Sequence, residues 1–333
     1  MVTETLLAVD VGGTKCELAI FPLGVNNSVP IVRNRYACGD YRRLEDIIAT
    51  FLQETNSTPT FASIGVAGVV SGGVGTVTNL PWIISEEGLT REFSLKAVHL
   101  INDMTAVCAS LGLLAGDDLL AIQEGESQPG QLIGVVAPGT GLGEGVLIQR
   151  EGLFFPRGSE GGHTDFGPVG EEQAELLRWM LTRKKRVSYE SLIAGPGIPN
   201  LYDFYHLHMG MAERPEVAVQ MAAAADRTPV IFENGFGPSG SPLCRKVIDL
   251  FLDILGAEAG NLALKLYARG GLYIGGGIVP RIAGKVDFTG FLSHFRAKGK
   301  MEQLMKTIPV RLILRGDAAL LGAAGYGQEL FTR

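Results

Sequence analysis

The sequence predicts an α/β fold in two domains, and three observations carry that prediction. A strand, a glycine-rich turn containing threonine, and a second strand follow one another twice, at residues 7–21 and again at residues 132–149. Around these units short apolar runs alternate with helical periodicities, the order of an α/β protein. At 333 residues the chain exceeds the roughly 250–300 at which a single hydrophobic core stops growing.

The first unit is LAVDVGGTK (7–15). Leu6, Leu7, Ala8 and Val9 form a continuous apolar run, as in a strand covered on both faces. Asp10 stands at its end. Gly12 and Gly13 carry no Cβ and can reach φ > 0, so successive N–H groups can turn toward one phosphate, with the Thr14 hydroxyl as another donor. Apolar residues return at 18–21, which makes the unit strand, turn, strand; a Walker loop or a Rossmann turn would lead into a helix. A plain Gly-Gly hairpin is the alternative, but Asp10 before the turn and Thr14 after it favour phosphate and metal. A strand at 31–36, a helix at 44–55 and a strand at 61–66 are predicted next. Segment 67–81 reads as loop plus a short strand. The run 99–103 ends on Asn102 and Asp103, and a helix is expected from Thr105 to about Leu114.

The second half restarts the theme, with a strand at 132–137, the turn PGTGLGEG at 138–145 and a return strand at 146–149. We read this as a diverged internal duplication, one phosphate hairpin per domain facing a shared cleft. A polar loop RGSEGGH (157–163) precedes helices at 171–182 and 214–225, the latter with Pro in its first turn. The longest helix starts at Ser241-Pro242 and is expected to end near Gly270; Leu243, Val247, Leu250 and Ile254 give it a buried stripe. A strand at 272–274 runs into Gly275, Gly276 and Gly277. Strand 310–314 and helix 318–330 close the pattern.

Composition narrows the function classes. The net charge of −6, without a long basic run, argues against nucleic acid or anionic lipid as partner. The 46% hydrophobic content is broken by 45 glycines, and no window approaches the roughly 20 apolar residues of a membrane span. The N-terminal MVTETLLAVD lacks a basic n-region and a cleavage site, so a cytoplasmic protein is expected. Cys16, Cys38, Cys108 and Cys244 show no CxxC spacing and read as small core residues.

Asp103 taken alone could be only a helix cap. With Asn102 beside it, an amide and a carboxylate can hold neighbouring hydroxyls, and the carboxylate can take the proton of the one that attacks. Glu160 and His163, three apart in a loop softened by two glycines, suit polyol recognition; a metal site is the lesser reading, because no third ligand is near. His206 and His208, two apart, point to different faces and should not chelate. Gly235, Gly237 and Gly240 match GxGxxG without the βαβ unit it requires, and no Gly-Lys is followed by Ser or Thr.

With these residues in view, the chain resembles the bacterial glucokinase family, within the sugar kinase, actin and heat-shock ATPase superfamily. The resemblance rests on VDVGGTK (9–15), INDMTA (101–106), APGTGLGEG (137–145), SEGGHTDFGP (159–168), SYESLIAGPGIPNLY (188–202), GNLAL (260–264), GGLYIGGGIVPR (270–281) and LLGAAGYG (320–327). It implies a two-domain actin-like, ribonuclease H-like fold with a cleft between a small domain, 1–112 plus 317–333, and a large one, 113–316. It implies that Asn102, Asp103, Glu160, His163 and Glu190 bind glucose, with Asp103 as catalytic base. Gly12, Gly13 and Thr14 with Gly139, Thr140 and Gly141 would grip the ATP phosphates, and Gly275, Gly276 and Gly277 would lie near the adenosine. Mg²⁺ would be water-linked to Asp10, and a homodimer is expected. Lys15 stands where some members have asparagine, so no role carries over to it. The cysteine-rich zinc motif of the related ROK kinases is absent after His163, which favours the zinc-free branch. Another hexose kinase, acting on mannose, fructose or an amino sugar, and a non-catalytic sugar sensor are the alternatives.

Overall fold

The computed structural model describes residues 4–24, 29–150 and 153–332. The chain divides into two compact units, one of residues 1–118, 145–158 and 315–333, the other of residues 119–144 and 159–314.

In the first unit, strands β1 (Thr5–Val11), β2 (Lys15–Pro22), β3 (Val32–Ala37) and β4 (Phe61–Val66) precede three short strands, β5 (Gly68–Ser71), β6 (Val74–Val77) and β7 (Ile83–Ser85), and then β8 (Ala97–Asn102). The main sheet has the order β3-β2-β1-β4-β8. β1 pairs antiparallel with β2 and parallel with β4, which pairs parallel with β8. The unbroken apolar run of β1 follows from cover on both faces. Leu7, Val9 and Val11 meet Leu44, Ile47, Ile48 and Phe51 of the helix Leu44–Thr55. On the opposite face Ala8 meets Leu320 and Ala324 of the C-terminal helix Ala318–Phe331. That helix also crosses the helix Asp103–Ser110 at a distance only glycine permits, since a Cβ on Gly322 would fall 1.7 Å from the Ala106 carbonyl oxygen.

Segment 67–81 differs from expectation, because its glycines make a hairpin and not a loop. Gly72 and Gly73 adopt φ of 58° and 76°, and β5, β6 and β7 form a separate three-stranded sheet with Val77 and Ile84 turned into the core.

The rest of the chain supplies β9 (Leu119–Gln123), β10 (Ile133–Pro138), β11 (Leu142–Arg150), β12 (Leu153–Ser159), β13 (Gly271–Ile274) and β14 (Val310–Ile313), in the sheet order β12-β11-β10-β13-β14-β9. Five consecutive positions repeat the order of the first sheet: a pair of strands in hairpin sequence, the strand before the glycine turn, then two parallel strands. This correspondence supports the duplication. β11 begins at Leu142, four residues ahead of its predicted start, and β12 takes in residues 157–159, expected as loop. The helix Pro242–Leu266 is capped by Ser241, whose Oγ accepts from Cys244 N at 3.1 Å. It is buried on most of its circumference and not on a stripe, with Phe291 and Phe295 of the helix Thr289–Arg296 in the same core. It ends at Leu266 because Tyr267 turns left-handed, with φ of 50°.

All four cysteines are buried free thiols. His206 and His208 lie on a π-helical turn and reach different partners, the Met211 carbonyl at 2.9 Å and Glu175 at 2.7 Å. Among the described residues no helix is long and apolar enough to cross a membrane.

Candidate functional site

In the first unit the predicted residues gather where the parallel strands end, the edge at which open α/β sheets bind ligands. Asp10 of β1 is in register with Gly65 of β4, and Val66 of β4 with Asn102 of β8, so two strand spacings of roughly 4.8 Å separate the β1 and β8 ends. The turn after β1 is closed by Gly12 N donating to Lys15 O at 3.0 Å, and Cys38 N donates to Thr14 O at 2.9 Å. These bonds hold the Gly12-Gly13-Thr14 backbone while the Thr14 side chain stays exposed.

Asn102 is the cap of the helix Asp103–Ser110: its Oδ1 accepts from Met104 N at 2.9 Å and Thr105 N at 3.3 Å. Its Nδ2 donates to Gly68 O at 3.1 Å and to Asp103 Oδ1 at 2.9 Å. The amide therefore does the capping and also orients the neighbouring carboxylate. Asp10 is half-buried; burial above all, then the carboxylates of Asp103 and Glu17, push it up to about 7, with Lys15 opposing.

In the second unit the turn between β10 and β11 is built by Gly139 N donating to Gly141 O and Gly195 N donating to Gly139 O, both at 2.8 Å. Gly275 N donates to Val136 O at 2.8 Å, which sets the 275–277 segment against the same strand. Gly276, at φ of 79°, could carry no side chain, since a Cβ would lie 2.2 Å from Pro138 O. A Cβ on Gly139 would have no neighbour nearer than 3.9 Å, and one on Gly277 none within 4 Å. Gly139, Thr140 and Gly277 line a cavity of about 800 Å³, within the range of small-molecule sites. Thr228, Phe232, Phe236 and Ile278 line it with the cations Arg227, Arg281 and Lys285. Arg227 is held by a two-pronged pair with Asp203 at 2.7 and 2.9 Å, and Thr228 donates to Gly195 O at 2.6 Å.

Glu190, first residue of a helical turn, joins this turn to the polyol candidates. Its Oε2 accepts from Leu142 N at 3.0 Å, and its Oε1 lies 3.5 Å from His163 Nδ1. The other ring nitrogen of His163 lies 3.8 Å from Glu160 Oε2. Glu160 and His163 are exposed, their side chains open to a ligand. Glu160, His163 and Glu190 thus converge in one unit, and Asp10, Asn102 and Asp103 in the other. The reading of individual motifs missed the cavity-lining Thr228, Phe232 and Phe236, which carry no local signature.

The glucokinase family model matches residues 7–330. The chain is similar to the glucokinase of Nostoc sp., 38% identical with 96% of this chain and 97% of that protein covered. It is also similar to the glucokinase of Colwellia psychrerythraea, 34% identical over 98% and 96%. Among solved structures, a glucokinase from an Antarctic psychrotroph superposes with a TM-score of 0.82 at 28% identity, covering 98% of this chain and 99% of that one. The glucokinase of Balamuthia mandrillaris shares the fold at 19% identity, with a TM-score of 0.77 over 98% and 94%. These matches bear out the expected actin-like fold class, and with a family match across nearly its full length the chain belongs to the glucokinase family.

Proposed function

We propose that this protein is an ATP-dependent glucokinase, transferring the γ-phosphoryl group to the 6-hydroxyl of glucose. The observation that carries the reading is the Asn102–Asp103 pair, in which one amide caps the helix and orients a carboxylate at a sheet edge beside a glycine turn. Asp103 is the base that takes the proton of the attacking hydroxyl. Asn102 and Asp103 hold the end of the sugar that carries this hydroxyl, and Glu160, His163 and Glu190 hold the anomeric end. The turns Gly12-Gly13-Thr14 and Gly139-Thr140-Gly141 hold the phosphates, Gly12 N and Gly139 N closing the turns themselves and the N–H groups of Gly13, Thr14, Thr140 and Gly141 donating, while the cavity beside Gly275, Gly276 and Gly277 receives the adenosine.

The residues fit a magnesium ion. Asp10 and Asp103 are hard oxygen donors close enough to feel each other's charge, and burial, then the Asp103 and Glu17 carboxylates, pushes Asp10 up, a cost that a bound cation would lower. Among the described residues no group of three or more potential ligands gathers, which suits an ion that keeps most of its waters and takes one or two carboxylates. When bound, the ion supplies charge neutralisation at the phosphates. We place the enzyme in the cytoplasm as a homodimer without nucleic-acid or membrane partners, and light scattering on the purified protein tests the dimer.

A coupled ADP-release assay over a sugar panel tests the activity. Glucose is turned over well and fructose poorly, because a site that pairs each hydroxyl rejects a ring presenting others. Equal turnover of both would make the protein a broad hexose kinase, and binding without turnover of any sugar would make it a sensor. The phosphate turn has its own test. Because the space around Gly139 is open, Gly139→Val folds normally and raises KM for ATP about tenfold or more, the equivalent of 1.4 kcal/mol, with KM for glucose little changed. An unchanged KM for ATP removes the turn from the nucleotide site. Gly12→Val is the less clean probe, since a Cβ there would already stand 3.0 Å from Lys15 O.

A further inference from the structure

Against the Glu160–His163 turn lies a set of ionisable groups that none of the roles above uses. Glu144 of β11 and Glu258 of the helix Pro242–Leu266 are buried, at 2% and 0% exposure. Each has one oxygen, Oε1, that receives no hydrogen bond, and the two carboxyls are within hydrogen-bonding reach of each other. Two ionised carboxylates in such a place would repel and leave both oxygens unsatisfied; a single shared proton removes both costs. Burial first, then Glu258, pushes Glu144 up to about 8, with Lys265 opposing. At neutral pH the pair's one proton is therefore held on Glu144.

The surroundings support that division. Glu258 Oε2 accepts from Asn261 Nδ2 at 2.9 Å, and Lys265 Nζ stands 3.8 Å from its Oε1. Asn261 Nδ2 also donates to Tyr189 Oη at 3.0 Å, and Lys298 donates to Asn261 Oδ1 at 2.8 Å. Tyr189, raised to about 12 by burial and then by Glu258, precedes Glu190. On its other side Glu144 abuts the turn: a Cβ on Gly161 would lie 1.9 Å from Glu144 Oε2, and one on Gly162 would lie 2.1 Å from Leu142 O. The turn is thus seated on the acid and on the first residue of β11.

We propose that Glu144 and Glu258 are positioning residues, a buried carboxyl–carboxylate pair sharing one proton and seating the 160–163 turn so that Glu160 and His163 meet the sugar. This rests on the assignment of Glu160 and His163 to sugar binding. The raised acid sets the direction with pH: the proton is held below about 8 and lost above it, so affinity for glucose falls on the alkaline side.

The test is the pH profile of KM for glucose in the wild type, Glu144→Gln, Glu144→Ala and Glu160→Gln, with thermal midpoints and KM for ATP alongside. In the wild type KM for glucose is level to about pH 7.5 and rises several-fold by pH 9, while KM for ATP moves less. Glu144→Ala raises it several-fold at neutral pH. Glu144→Gln, whose amide donates at every pH, recovers most of that loss and flattens the alkaline rise. Infrared spectra give a readout without substrate: the wild-type minus Glu144→Gln difference spectrum at pH 7 holds a protonated-carboxyl C=O band, to which Asp10, common to both proteins, does not contribute. The proposal is overturned if Glu144→Gln keeps the full alkaline rise and the difference spectrum lacks the band, or if Glu144→Ala lowers the thermal midpoint and leaves KM for glucose unmoved. A Glu160→Gln without effect on KM overturns the sugar-site assignment and this proposal with it. A Glu160→Gln that raises KM while both Glu144 variants stay at wild type leaves the site standing and removes the pair.

Discussion

Asp103→Ala lowers kcat by about 10²–10⁴-fold in a protein that remains folded. The size follows from the assigned role, since a positioned base acts only as the proton moves, and its loss is felt in the transition state more than in ground-state binding. Folding survives because the helix start does not depend on this carboxylate: Met104 N donates to Asp103 Oδ1 but also to Asn102 Oδ1, both at 2.9 Å, and Thr105 N is held by Asn102. The stability lost is about 1 kcal/mol, because both donors to this carboxylate keep another partner, Met104 N on Asn102 Oδ1 and Asn102 Nδ2 on Gly68 O. Asn102→Ala is the opposite case, forfeiting the cap at about 1 kcal/mol and also releasing the Asp103 carboxylate. Circular dichroism and single-turnover kinetics on both variants separate the two effects. A folded Asp103→Ala with wild-type kcat refutes the assignment.

Glu160→Gln reduces kcat/KM for glucose by an amount equivalent to about 1.5–3 kcal/mol, the value of a hydrogen bond to a charged acceptor. The amide preserves the shape and removes the charge. Glu160 is exposed and the His163 ring nitrogen stands 3.8 Å away, so the fold has little at stake and thermal midpoints stay within error. The effect should appear with glucose and shrink with an analogue lacking the hydroxyl that Glu160 holds. If kcat/KM is unchanged, Glu160 does not touch the sugar.

The parts of this fold that were legible in the sequence are those where local pattern and tertiary burial agree. Helix Leu44–Thr55 and strand Phe61–Val66 have the bounds their periodicity predicts, since one apolar stripe and one apolar run each meet a single core. Segment 67–81 misleads because glycine signals a break, whether the chain goes on to loop or to pair. The start of β11 is hidden in the sequence because Gly143 and Gly145 weaken a strand pattern, although Leu142, Glu144 and Leu147 all turn into the core. The Asn102–Asp103 and Gly139–Gly141 candidates were legible as short motifs. The cavity walls at Thr228, Phe232 and Phe236 were not, two being side chains on one short helix with only ordinary amphipathic spacing and the third lying just past its end. Glu258 did carry a signal, a charge amid an apolar helix, but its partner in β11 could be found only in three dimensions.

The C-terminal helix closes the first sheet, lying over Ala8 and against the helix that begins at Asp103, and so the opening strands of the chain wait on its last residues. On a ribosome adding about 5–20 residues per second, β1 emerges roughly 15–60 seconds before the helix that covers it. Throughout that interval Ala8, Ala19 and Phe21 of the β1–β2 hairpin face solvent or a chaperone, and the nascent N-terminal unit cannot reach its final stability. Chains halted before residue 318 leave this apolar face bare, the kind of surface by which a quality-control system distinguishes an unfinished protein from a finished one.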